Sequence, residues 1–145
     1  MQELMKIAAS IRVRVHISHL DDDEVLGAYD HSTRTIHLSF GLTPFELRSV
    51  LAHELAHCLM GDECSTSANE RRAERHAAQM LIAPEDYAAA ESIDPSPAAI
   101  ADELQVTVDI VTAYQEQCLQ RLGGRTYGRS WRTGLSGALA RQLSS

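Results

Sequence analysis

Aromatic residues are scarce in this 145-residue chain: two Phe, one Trp and four Tyr make up 5% of it. Leu, Ile, Val and Ala must therefore fill most of the core. Cysteine is rarer still. Cys58, Cys64 and Cys118 are odd in number and form no C-x-x-C, which excludes a disulfide framework and a thioredoxin-like redox motif. They read as three structural thiols in a reducing compartment. The opening MQELMKIAAS carries Glu3 and lacks an apolar run before a small-residue cleavage site, so it is not read as a secretory signal. No stretch approaches the roughly 18 apolar residues of a membrane span. A cytoplasmic protein is expected, with no membrane partner. Internal repeats are lacking as well. The acid run Asp21-Asp22-Asp23-Glu24 lacks EF-hand spacing and reads as a solvated turn.

Basic charge is missing from most of the chain. Residues 1–120 hold all 20 acidic residues and 8 of the 13 basic ones, a net of −12 within an overall −7. Such an acidic body repels nucleic acid, so direct binding to it is not expected. The last 25 residues hold Arg121, Arg125, Arg129, Arg132 and Arg141 and no acid. With five glycines from Gly123 onward, residues 123–145 read as a flexible basic tail.

What is present suits one globular domain over residues 1–122, with 44% hydrophobic and 23% charged residues. Residues 1–10 read as a short helix. Ile11, Val13, Val15 and Ile17 alternate with Arg12, Arg14 and His16, the period of a half-buried strand. A second strand is expected near 25–29. Asp30-His31-Ser32-Thr33 supplies a turn, and a third strand follows from Arg34 to Phe40. The pattern then becomes helical. Thr43, Pro44 and Glu46 make a strong helix start, and Gly61 a stop. A second long helix spans Ser67 to Ala83, with Ser67 or Asn69 as its cap. A short helix near 85–91 and a helical pair at 96–104 and 107–121 complete the domain. The expected class is α+β: a small antiparallel sheet of about three strands packed on a helical core.

The chemistry lies in His53-Glu54-Leu55-Ala56-His57. Histidines four apart on a helix face one side and can share one zinc ion. Glu54 projects about 100° away, beside the metal and not at it, as suits a general base for the attacking water. Val50, Leu51, Leu55 and Leu59 make the other side of the helix apolar, and Glu54 is the only charge between 49 and 61. Two histidines and a glutamate in such a run would be costly to bury unpaired.

A zinc peptidase needs a third protein ligand. The next helix carries an apolar line at Ala73, Ala77, Met80 and Leu81, which Glu70 extends toward the N-terminus. A carboxylate on the core side of a helix needs a partner, which makes Glu70 the first choice. Glu74 and His76 are the alternatives. Manganese, iron or cobalt would also suit such donors.

These residues, with Leu59-Met60-Gly61 and the run from Glu70-Arg71-Arg72-Ala73-Glu74-Arg75-His76-Ala77-Ala78 to Leu81-Ile82, resemble the ImmA/IrrE family of metallopeptidases. The resemblance implies a zincin-like fold in which a small sheet precedes the H-E-x-x-H helix. It also implies that a glutamate of the next helix, here Glu70, completes the zinc site. It implies a protein substrate, typically a helix-turn-helix repressor of a phage or mobile element. His76 stands where members usually carry an aromatic residue, and Arg72 where many carry a second glutamate.

On this reading the strand at 34–40 would line the cleft and pair with substrate, and Tyr87, His76 and His37 are candidate oxyanion partners. Two rival classes remain. One is a zincin-like module that binds a repressor without cutting it. The other is a DNA-binding regulator, because residues 99–111 have a helix-turn-helix rhythm. Its second helix, however, exposes Asp109, Gln115 and Glu116, and Gln105 replaces the usual turn glycine.

Overall fold

The structure is a computed structural model and describes residues 1–61 and 66–119. The basic tail, the expected end of the last helix, Asp62, Glu63 and Cys64 lie outside the described residues. The elements are α1 (Gln2–Ser10), β1 (Arg14–Ser18), β2 (Gly27–Asp30), β3 (Thr35–Ser39), α2 (Pro44–Met60), α3 (Ser67–Leu81), α4 (Pro84–Ile93), α5 (Pro97–Leu104) and α6 (Val108–Ala113). A π-helical segment, Tyr114–Cys118, continues α6. The class is α+β, as expected.

The sheet corrects one expectation. Its strand order is β1-β3-β2, and β1 runs parallel to β3. Consecutive strands do alternate in direction, but β3 enters between the first two, so the sheet is mixed and not purely antiparallel. Burial accounts for the order. Ile36 and Leu38 of β3 are 0% and 1% exposed, the most buried strand positions, and in a three-stranded sheet only the centre is flanked on both sides. β1 also begins later than its alternation suggests. Arg12 adopts φ 59°, and the Val13 amide bonds back to Ala8 to close α1.

The helix that carries the H-E-x-x-H motif is held at both ends by its own sequence. The Thr43 hydroxyl accepts the Glu46 amide at 3.2 Å, while the Glu46 carboxylate accepts the Thr43 amide at 2.9 Å. Pro44 opens the helix, and Gly61 at φ 71° closes it. α3 is capped by Thr66, whose hydroxyl accepts the Asn69 amide at 3.1 Å, rather than by Ser67 or Asn69. α4 starts on Pro84 and runs to Ile93, longer than the expected 85–91.

Leu51 and Leu55 of α2 join Ile36 and Leu38 in one core with Ile100, Val106 and Val111 of the C-terminal pair. Two polar ties fix that pair to α2. Arg48 donates to the carbonyls of Leu104 and Gln105 at 3.0 and 2.9 Å. The buried Ser49 hydroxyl accepts the Thr107 amide at 3.2 Å and so caps α6 from a neighbouring helix. No described helix is long and apolar enough to cross a membrane.

Candidate metal centre

One turn of α2 separates His53 from His57, which places both rings on one side, with centroids 4.8 Å apart and planes at 81°. Their Nε2 atoms converge on the Glu70 carboxylate of α3. His53 Nε2 lies 3.1 Å from Oε1, and His57 Nε2 lies 3.2 Å from Oε2. The three candidate ligand atoms lie within 4.8 Å of one another. A tetrahedral zinc ion with ligand bonds of about 2.0–2.1 Å separates its ligand atoms by about 3.3 Å. The donor set fits: two imidazoles and one carboxylate, all half-buried, with the same ring nitrogen of each histidine turned inward. Neither Glu74 nor His76 joins this group.

Glu54 points elsewhere, as its place on the helix requires. It lines a cleft beside the cluster together with His53. Burial pushes its carboxyl above the usual range. His53 and His57 pull it back down, and Glu70 pushes it up again. Beside it, burial and then the Glu54 charge raise the Cys58 thiol to about 11, so Cys58 stays a protonated thiol at neutral pH.

β2 reaches Glu54 because Gly27 has no side chain. A Cβ there would lie 2.6 Å from Val50 Cγ1 and 3.4 Å from Glu54 Cγ. β3 does not line this cleft in the way expected, since both of its edges are already paired; the edge strand next to Glu54 is β2. Leu26 accepts the Ser39 amide, so alternate residues of β2 face β3, and the backbone groups of Gly27 and Tyr29 face outward.

The three oxyanion candidates do not reach the cleft. Tyr87 is buried among helices, where its hydroxyl donates to Glu91 at 2.9 Å and accepts from Gln115 at 3.1 Å. His37 alternates with the core residues Ile36 and Leu38 and meets the His16 ring 6.2 Å away. His76 keeps a buried Nδ1 with no hydrogen-bond partner among the described residues. Sequence reasoning missed the far wall of the cleft: Thr107, Asp109, Ile110 and Ala113, from the supposed helix-turn-helix. Gln105 adopts the left-handed turn at φ 60° without being glycine. The second helix of that pair therefore helps to wall the cleft. The Ser49–Thr107 bond behind this packing joins residues 58 apart, and no local pattern in the sequence signals it.

Among curated proteins none matches the chain. A Mycobacterium tuberculosis transcriptional regulator of solved structure is similar in fold, with a TM-score of 0.62 and 20% identity over 81% of this chain. The match covers 42% of that regulator, so the chain spans less than half its length. The model of the M78 peptidases, described as the IrrE N-terminal-like domain, matches residues 8–113, nearly three-quarters of the sequence. The chain therefore belongs to this zincin-like metallopeptidase family.

Proposed function

We propose that the chain is a zinc-dependent endopeptidase that cuts a helix-turn-helix transcription repressor of a phage or mobile element in the cytoplasm. The observation that carries the reading is the convergence of His53, His57 and Glu70 on one point, beside a half-buried Glu54 that opens onto a cleft. His53, His57 and Glu70 would hold the metal. When bound, it supplies a Lewis acid that polarises the scissile carbonyl and acidifies the attacking water.

The protein's own groups supply the rest. Glu54 takes the water's proton and hands it to the leaving amine. A carboxyl held above its ordinary range by burial is a stronger base, so the environment that raises it suits the task. The outward backbone groups of Gly27 and Tyr29 offer an edge on which an extended peptide can add as a strand beside Glu54. That edge lies next to the base because Gly27 lets β2 close on α2. The repressor substrate rests on the ImmA/IrrE resemblance.

A second reading has one observation in its favour: the similar solved structure is called a transcriptional regulator. On that reading the chain binds a repressor without cutting it. One paired experiment separates the two. The zinc-loaded chain is incubated with the repressor encoded beside its gene, and the products are read by mass spectrometry. Wild type should yield two defined fragments. Glu54→Gln should bind zinc as wild type does and cut more slowly by about 10²–10⁴-fold. Glu70→Gln should lose zinc, which supports its role as the third ligand. Undiminished cutting by Glu54→Gln rules out the base assignment, and binding without fragments favours the second reading.

A further inference from the structure

The cleft that opens beside His53 and Glu54 encloses about 370 Å³ between α2, β2, α3 and α6. Its composition is two-layered. Ile110 and Ala113 are each 6% exposed and form an apolar floor with Val50. Around it, besides Glu54, stand three carboxylates: Glu46, Glu74 and Asp109. Glu46 already accepts a backbone amide as part of the α2 cap. Glu74 and Asp109 are exposed, and neither takes part in an ion pair among the described residues. They come from different helices, α3 and α6, which pack directly against each other, and both line this cleft.

The geometry points to a subsite for a lysine or arginine side chain of an extended peptide, next to the bond that is cut. This rests on the peptidase reading and adds a substrate class to it. An apolar groove alone would accept a leucine or a methionine. An acidic rim over an apolar floor matches instead a side chain with an apolar stem and a cationic head, which keeps its charge near water while its methylenes are buried. An acidic substrate side chain would meet like charges there, so the same rim also rejects. The rim and Glu54 line one and the same cleft, so the residue it recognises belongs to the peptide segment that holds the reacting bond.

The test uses the full zinc-loaded chain and three mixtures of capped decapeptides, with arginine, norleucine or glutamate fixed at the centre and the other positions randomised. Norleucine keeps the apolar stem and lacks the charge. Mass spectrometry should show cuts beside the fixed arginine about tenfold faster than beside norleucine, with glutamate slowest. The arginine-to-norleucine ratio should fall toward one in the Glu74→Gln/Asp109→Asn double variant, and should shrink in wild type as salt is raised. Equal cutting of the arginine and norleucine mixtures by wild type overturns the subsite and leaves the peptidase reading intact. If no mixture is cut, the same mixtures are passed over the immobilised zinc-loaded chain. Preferential retention of arginine peptides, lost in the double variant, supports the subsite while the peptidase reading fails. Equal retention overturns it.

Discussion

α2 and α3 bring the candidate ligand atoms to the same point, yet they are built on opposite plans. α2 is stopped at both ends by its own residues and sinks Leu51 and Leu55 fully into the core. α3 carries one hydroxyl cap, and its buried face is made largely of alanine: Ala73, Ala77 and Ala78. Ala73 and Ala77 continue the line that begins at Glu70. The two histidines owe their spacing to the helix itself, so anything short of unfolding α2 preserves it. The third corner of the triangle depends on how closely two helices approach, and small side chains set that distance. Half of the site is therefore local, and the other half is tertiary.

Two substitutions test this division. Leu51→Ala empties a fully buried position and should destabilise the metal-free chain by about 2–5 kcal/mol. In the fraction that stays folded, zinc affinity should hardly change. Ala73→Leu should cost less stability, about 1–3 kcal/mol from overpacking. Its effect on zinc should be the larger one, because the added side chain pushes Glu70 away from the histidines. Urea unfolding without metal and a zinc competition titration with native protein measure the two effects separately, which matters because bound zinc itself raises stability. The division fails if Leu51→Ala weakens zinc binding as much as Ala73→Leu does.

The same division explains what could be read in advance. The Thr43–Glu46 cap, Pro44, the Gly61 stop and the H-E-x-x-H pair are all written within 19 consecutive residues, and the structure has all of them. Glu70 could be read because the 70, 73, 77 period marks a buried face. The sheet could be read only in part. Asp30 to Thr33 announced the β2–β3 hairpin, but alternation tells which residues face inward and not which strand lies next to which. The parallel β1–β3 pair was hidden for that reason. The far wall of the cleft was hidden because Ser49 and Thr107 meet across 58 residues, joined by one hydroxyl that no periodicity reports.

The smallest expected effect lies outside both helices and serves as the control for the comparison. In the β2–β3 turn the Asp30 carboxylate accepts the Ser32 hydroxyl at 2.7 Å and the Ser32 amide at 3.0 Å. The Ser32 hydroxyl chiefly, against desolvation and with help from the backbone amides of Thr33 and Ser32 and the Thr33 hydroxyl, holds its carboxyl below the ordinary 3.8. A folded-state value below the unfolded one adds stability that is present above pH 3.8 and is lost as pH falls through the lowered value. Asp30→Asn keeps an acceptor but cannot ionise. It should be slightly less stable than wild type at pH 6, and the gap should close near pH 2, as read from urea midpoints. A gap that persists in acid would mean that the ionised carboxylate does not hold this turn. Zinc affinity at pH 7 should be unaffected, because the hairpin sets where β2 lies while α2 and α3 set the ligand triangle. A clear loss of zinc in Asp30→Asn would show that the sheet, and not only the approach of the two helices, controls the third corner.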